Sequence, residues 1–217
     1  THEGKSLTVA RVDQQAWEVN PWDKRRLLAH LIKKHEPEVT IVFCRTKMAV
    51  DRTSKHLASR GIKSEVMHGD IRQSRRNRVL EEFKTGKVKL LIASDLAARG
   101  IDVEGVSHVI NFEIPNISET YVHRIGRTGR AGREGVALSM VNEGDERNHM
   151  RDIVRLIKRD IPLETDHQWH LDLPPIKADS KTHKVPKEGN DNKAEANKQR
   201  RSKGRGNQRR RDNQGSN

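Results

Sequence analysis

Four short clusters carry residue types that handle phosphate: Arg45-Thr46-Lys47; His68-Gly69-Asp70, followed by Gln73 and Arg76; Ser94-Asp95-Leu96-Ala97-Ala98-Arg99-Gly100-Ile101-Asp102; and His123-Arg124-Ile125-Gly126-Arg127-Thr128-Gly129-Arg130. The last is the most informative. Tyr121 to Ile125 can finish a helix, and Gly126 lets the chain turn out of it. Arg127 and Arg130 follow in a glycine-bearing loop, each ending in a planar fork that matches phosphate oxygens. Two arginines offered in this way can neutralise charge that grows on a departing γ-phosphate. Taken alone, an Arg-x-x-Arg loop reads as a solvated basic turn. In the other clusters, the Thr46 and Ser94 hydroxyls and the amides of helix N-termini suit phosphate without reading bases. No cluster contains an aromatic platform, so sequence-independent binding is expected. For Asp70 and Asp102 helix capping is the plainer role, and it is compatible with ligand contact.

These clusters need a scaffold, and composition bounds it. The chain has 217 residues with 43 Lys and Arg against 30 Asp and Glu, a formal charge of +13. A field of that sign suits a polyanion. From Pro174 to Asn217 there is no Phe, Trp or Tyr, and the stretch from Ile176 onward holds 13 Lys/Arg against 5 Asp/Glu. Such a segment cannot bury enough apolar surface to offset its ordering entropy. Residues 172–217 are therefore expected to form a disordered basic tail that tethers a polyanion such as nucleic acid electrostatically, with protein partners also possible there. Residues 1–8 read as a disordered linker remnant, as if the domain had been excised, which leaves 9–171 as one α/β domain. The single cysteine, Cys44, and the lack of an apolar run of about 20 residues or of a signal pattern point to a reducing, cytoplasmic setting without a membrane. The sequon Asn116-Ile117-Ser118 is taken as chance.

Within 9–171, apolar runs at Val39–Cys44, Ile62–Met67, Val88–Ala93, Val106–Phe112 and Gly135–Val141 predict strands. Helical stretches are expected at Trp22–His35, Lys47–Arg60, Gln73–Thr85, Ser118–Ile125 and Asp145–Arg159. Pro21 is placed as a helix-start proline, Ser118 as an N-cap, and Gly61 and Gly86 as residues just past helix ends. Alternation of this kind predicts a mainly parallel sheet of five to seven strands with helices on both faces. Ligands then gather at the carboxyl ends of the strands, so Arg127 and Arg130 should project from that rim.

The strings IVFCRTK, MHGD, ASDLAARGID and YVHRIGRTGR, in this order and spacing, resemble the second RecA-like domain of DEAD-box RNA helicases. The resemblance covers about Val9 to Leu163, and Gly144-Asp145-Glu146-Arg147 is similar to bacterial members. It implies a single RecA-like domain that is the C-terminal lobe of an ATP-dependent RNA helicase. Arg127 and Arg130 match the arginines that reach the γ-phosphate; His123, in the same motif, matches the residue that couples ATP state to the partner domain. Gly100 and Asp102 match positions near the ribose, Arg99 one that sets cleft geometry, and Gly126 belongs to the same ATP-facing set. Thr46, Gly69, Asp70, Arg76 and Ser94 fall where the family grips the RNA backbone, and Arg45 stands beside them. The family usually has Thr at position 94 and often Asn at position 45, so Arg45 would add a positive fork to the track.

A phosphate loop ending Gly-Lys-Ser/Thr and a DEAD string do not occur in this sequence. In the family both lie in an N-terminal RecA-like domain, which would hold Mg²⁺ and most of the ATP, so this chain alone is expected to be inactive. Other readings are a stand-alone RNA-binding or scaffold module and a DNA-directed relative. His167 and His170, spaced i, i+3, read as a surface coincidence and no metal site is expected. Trp17 and Trp22 are expected to pack against the sheet, with RNA stacking as the alternative. Cys44 is expected in the core.

Overall fold

A computed structural model describes residues 11–99, 101, 103, 105–130, 132–171 and 176. These fall in the first of two units, Thr1–Asp179 and Ser180–Asn217. The linker remnant, nearly all of the tail, Gly100 and Asp102 lie outside the described residues.

The elements are β1 (Val12–Glu18), α1 (Lys24–His35), β2 (Thr40–Cys44), α2 (Lys47–Ala58), β3 (Glu65–Met67), α3 (Gln73–Lys84), β4 (Leu90–Ser94), α4 (Asp95–Ala98), β5 (His108–Asn111), α5 (Ser118–Ile125), β6 (Gly135–Val141), α6 (Asp145–Ile157) and β7 (Leu163–Glu164). The strands form one sheet in the order β3-β4-β2-β5-β6-β1-β7, and every pairing is parallel. In-register pairs such as Cys44 with Ser94 and Phe43 with Asn111 put the carboxyl ends of β4, β2 and β5 along one rim.

Strand alternation sorts the core onto two faces. Val42, Ile92, Ile110, Leu138 and Met140 pack with Leu27, Leu28 and Leu31 of α1 and Val50 and Leu57 of α2. On the other face, Ile41, Phe43, Leu91 and Val109 meet Val79 and Phe83 of α3 and Ala97 and Ala98 of α4. Ala16 and Ala137 meet Tyr121 and Ile125 of α5 and Met150, Ile153 and Val154 of α6. The central strands β2 and β4 are buried at every position, as their near-continuous apolar runs require.

Several local expectations shift. Ser118 is the first residue of α5 and Ile117 occupies the cap position without a side-chain bond, so Ser118 is not the N-cap. Pro21 precedes a turn, and α1 begins three residues later. Gly61 and Gly86 do stand past their helices with φ of 75° and 72°. The β1 strand was not expected because its sequence, VDQQAWE, is polar. Its buried Gln14 accepts from the Tyr121 hydroxyl at 2.9 Å, and its buried Glu18 pairs through Oε1 with Arg147 of α6.

Candidate functional site

The loop after β2 turns directly into α2. Thr46 caps that helix, its Oγ1 accepting from the Ala49 amide at 3.1 Å. Arg45 is braced across the rim. Its amide donates to Glu113 Oε2 at 2.7 Å and its Nη1 to Asn116 Oδ1 at 2.9 Å. The expected extra fork for RNA is thus largely committed to the loop after β5. Behind it lies a buried ion pair between Lys24 of α1 and Glu146 of α6, at 2.5 Å with both side chains 3% exposed. Lys24 also donates to the Phe112 carbonyl at 3.0 Å and the Met140 carbonyl at 3.2 Å. Glu146 accepts from the amides of Ile114 at 3.2 Å and Asn142 at 2.9 Å. Burial pulls the Lys24 ammonium below its usual range, and Glu146 opposes that shift.

The loop after β3 is tied to the same place. Asp70 bonds Lys47 Nζ at 2.7 Å, an exposed pair that holds the Asp70 carboxyl below its usual range. Asp70 therefore pairs across to α2 and caps no helix with its side chain. His68 Nε2 lies 3.1 Å from Asp51. A side chain at Gly69 would meet nothing within 4 Å, so packing inside the protein does not demand glycine there. Its bare backbone leaves room for something outside. Arg76, half-buried on α3, spends one donor on the Ala97 carbonyl at 2.8 Å. Ser94, at the end of β4, is buried.

The strongest contact in this region was not singled out from the sequence. Arg124 is 2% exposed and grips Asp95 with Nε to Oδ1 at 2.6 Å and Nη2 to Oδ2 at 2.7 Å. Its Nη1 donates to Asn111 Oδ1 at 3.1 Å and the Glu113 carbonyl at 2.7 Å, and its guanidinium lies 5.1 Å from the Phe43 ring centre. Beside this pair a groove of about 170 Å³ runs between α4 and α5, lined by Arg99, Thr120, His123 and Arg127 among others. Arg99 and His123 are exposed, and Arg127 is half-buried with Nη1 donating to the Ile101 carbonyl at 2.7 Å. Arg130 Nε turns back to the Gly126 carbonyl at 2.7 Å.

The carboxyl-rim placement of Arg127 and Arg130 needs correction. Thr128, between them, donates to the carbonyls of Val106 at 2.5 Å and Ser107 at 3.1 Å, just before β5 begins. A side chain at Gly135, the first residue of β6, would meet Thr128 Oγ1 at 2.3 Å. The loop therefore sits at the amino ends of β5 and β6, because α5 returns the chain across the sheet as a parallel crossover must. The groove reaches from Asp95 near the rim down this flank to Arg127.

Residues 23–132 match the family described as the helicase conserved C-terminal domain. The chain is the C-terminal domain of a DEAD-box helicase. It is 45% identical over 157 residues to the DEAD-box ATP-dependent RNA helicase CshA of Geobacillus kaustophilus, a match that covers 72% of this chain and 33% of that protein. It is 42% identical over 163 residues to the ATP-dependent RNA helicase CshA of Limosilactobacillus reuteri, covering 75% of this chain and 33% of the relative. The chain thus spans about a third of the length of these curated relatives. Among solved structures, E. coli DEAD-box protein SrmB bound to regulator of ribonuclease activity A superposes with a TM-score of 0.70 at 35% identity, covering 76% of this chain and 96% of that one. A DEAD box protein from the hyperthermophile Methanococcus jannaschii gives 0.66 at 40% identity, covering 71% and 42%. The fold is RecA-like, as the motif order implied.

Side chains outside the motifs take more ordinary places. Burial pushes the Cys44 thiol up to about 12, so it is a core residue and a poor nucleophile. Trp17 is buried as expected, but Trp22 is exposed and does not pack on the sheet. His167 and His170 meet edge to face at 5.7 Å, and both are partly buried. Among the described residues, no group of three His, Cys, Asp or Glu side chains could hold a metal ion. Among the described residues, no helix is long and apolar enough to cross a membrane.

Proposed function

We propose that this domain supplies one wall of an ATP site and half of a sequence-independent RNA track, within a larger RNA-stimulated ATPase. The observation that carries the ATP half is the α4/α5 groove. Its lining is cationic and partly open, with Arg99 at the end of α4 and His123 and Arg127 on the α5 side, while the buried Arg124 is already neutralised by Asp95. At about 170 Å³ it is smaller than the roughly 300 Å³ at which small-molecule pockets begin. Its chemistry suits the phosphate end of a nucleotide, with the base and Mg²⁺ left to a second RecA-like domain. Arg127 and Arg130 would then neutralise charge on the leaving γ-phosphate, with Gly100 and Asp102 near the ribose. For RNA, Thr46, Gly69, Asp70, Arg76 and Ser94 would line the carboxyl rim, and the basic segment beyond residue 172 would tether the strand. The setting would be the cytoplasm, with protein partners able to share the tail.

The test is reconstitution with a separately expressed N-terminal RecA-like domain from the longer protein. RNA-stimulated ATP hydrolysis should appear only with both parts. It should fall by about 10³-fold in Arg127→Ala or Arg130→Ala, the scale of an arginine finger. A lack of rescue would favour a stand-alone RNA-binding module. Equal stimulation by DNA of the same sequence would favour a DNA-directed relative.

A further inference from the structure

We propose that Glu113, in the loop after β5, is a positioning residue for RNA that sets the Thr46 and Ser94 hydroxyls relative to one another. The role rests on the RNA-track reading above, and Glu113 lies outside the four motif clusters.

Glu113 is bonded through its side chain and through its backbone, and the two reach different parts of the rim. Its Oε2 accepts from the Arg45 amide at 2.7 Å, one residue before Thr46, the cap of α2. Its carbonyl accepts from Arg124 Nη1 at 2.7 Å. Arg124 in turn grips Asp95 at 2.6 and 2.7 Å, and Asp95 follows Ser94 directly. Arg45, Glu113, Arg124 and Asp95 thus make a continuous bonded path from beside one proposed phosphate-binding hydroxyl to beside the other. The sheet does not do this by itself. The last pair of the β2–β4 ladder is Cys44 with Ser94, so Thr46 lies two residues beyond it. Asn116 ties the same corner, its Oδ1 accepting from Arg45 Nη1 at 2.9 Å.

Two features distinguish this role from a chance surface contact. An acid is out of place on a wall that has to receive phosphates, because like charges repel. The Glu113 side chain is only 20% exposed, and besides the Arg45 amide its carboxylate has Arg45 Nε at 3.9 Å. Its charge is therefore used inside the protein. The second feature is what it holds. The donor is a backbone amide, so the bond fixes the path of the chain into α2, and any slackening there moves Thr46 directly. A carboxylate-to-amide bond is of the charge-assisted, stronger kind, which suits it to hold a loop under load.

The test is the affinity of the whole 217-residue chain for a labelled single-stranded oligouridylate. Glu113→Ala removes the acceptor and should weaken binding about 10-fold, the scale of one charge-assisted bond. Glu113→Gln keeps an acceptor for the Arg45 amide and should stay within about 3-fold of wild type. The basic segment from Ile176 onward is common to all variants, so differences between them report on the rim. In the reconstituted pair, Glu113→Ala should raise the RNA concentration for half-maximal ATPase stimulation and leave the rate at saturating RNA unchanged. A lowered rate with that concentration unchanged would mean a merely weakened domain and would overturn the role. If both variants bind RNA more tightly, the carboxylate only repels the strand; if both weaken equally, its charge and not the accepted bond is the cause. Either result overturns the positioning role. Thr46→Ala and Ser94→Ala report on the track itself. If they weaken binding and Glu113→Ala does not, the track stands and Glu113 has no part in it. If they leave binding unchanged, the track reading fails and the role of Glu113 falls with it.

Discussion

Arg124 closes on Asp95 with both ends of its guanidinium, at 2.6 and 2.7 Å, and so joins the C-terminal half of α5 to the first residue of α4. Arg124 is almost fully buried and has further acceptors in Asn111 and the Glu113 carbonyl. Removing Asp95 leaves a buried cation without its counter-charge. Asp95→Ala is expected to cost about 3 kcal/mol, and Asp95→Asn about 1–2 kcal/mol because an acceptor remains. Arg124→Lys should also destabilise, since an ammonium cannot reproduce the fork. Urea unfolding of each variant checks this, and losses below about 0.5 kcal/mol for Asp95→Ala would refute the structural role assigned to the pair.

Lys24 and Glu146 make the other buried pair, and here the sequence separation is 122 residues. Either single removal strands a charge, so Lys24→Met and Glu146→Leu should each cost about 3–5 kcal/mol. The double variant should lose less than the sum by at least about 1 kcal/mol, because the stranded charge is gone. It should not return to wild type, since Glu146 also accepts from the amides of Ile114 and Asn142. A double-mutant cycle with additive losses would show that the two side chains are not coupled.

The legible parts of this molecule were those whose physics is local. The VTIVFC run became β2 because a strand buried on both faces has to be apolar throughout, and helix ends marked by Gly61 and Gly86 fell within about two residues. What could not be read depended on partners far away in the chain. The polar β1 is a buried strand whose Gln14 and Glu18 pair with Tyr121 and Arg147, 107 and 129 residues distant. Arg124 lies inside the most informative motif, yet nothing in its spacing separates a buried structural arginine from the nearby Arg127. Only Asp95 does. The rim was misjudged for Arg127 and Arg130 because α5, eight residues and about 12 Å long, carries the chain back across the sheet before the loop begins.

That loop is sterically fixed from behind. A Cβ at Gly135 would lie 2.5 Å from the Gly129 amide nitrogen and 2.7 Å from Thr128 Cγ2, so backbone would have to move. Gly135→Ala is expected to cost about 2–3 kcal/mol and to reduce ATP hydrolysis in the reconstituted pair by displacing Arg127 and Arg130. Gly132→Ala is the control. Its φ of 80° disfavours a side chain, but nothing lies within 4 Å, so about 1 kcal/mol is expected. Thermal unfolding of the two variants should show the larger drop for Gly135→Ala, and the reverse order would mean the loop yields easily.

The segment after β7 is held by a run of rings that should come apart in acid. His167 lies 5.3 Å from the Trp17 ring and 5.7 Å from His170, while Trp17 also meets His35, whose ring lies 6.0 Å from His108. Burial lowers His167 to about 4, helped by His170, His30 and Lys34 and opposed by Asp166. His35 and His108 are lowered too, first by burial. A histidine with a folded pKa below its ordinary 6.5 binds fewer protons folded than unfolded in the interval between them, so stability falls as pH drops from about 6.5 to about 4. Above 6.5 these groups are neutral in both states and contribute no slope. His167→Phe, which keeps the contact with Trp17 but cannot take a proton, should flatten the acid limb of midpoint against pH. Following Trp emission through an acid titration at fixed salt gives the measurement, and an acid limb unchanged by His167→Phe would place the titration elsewhere.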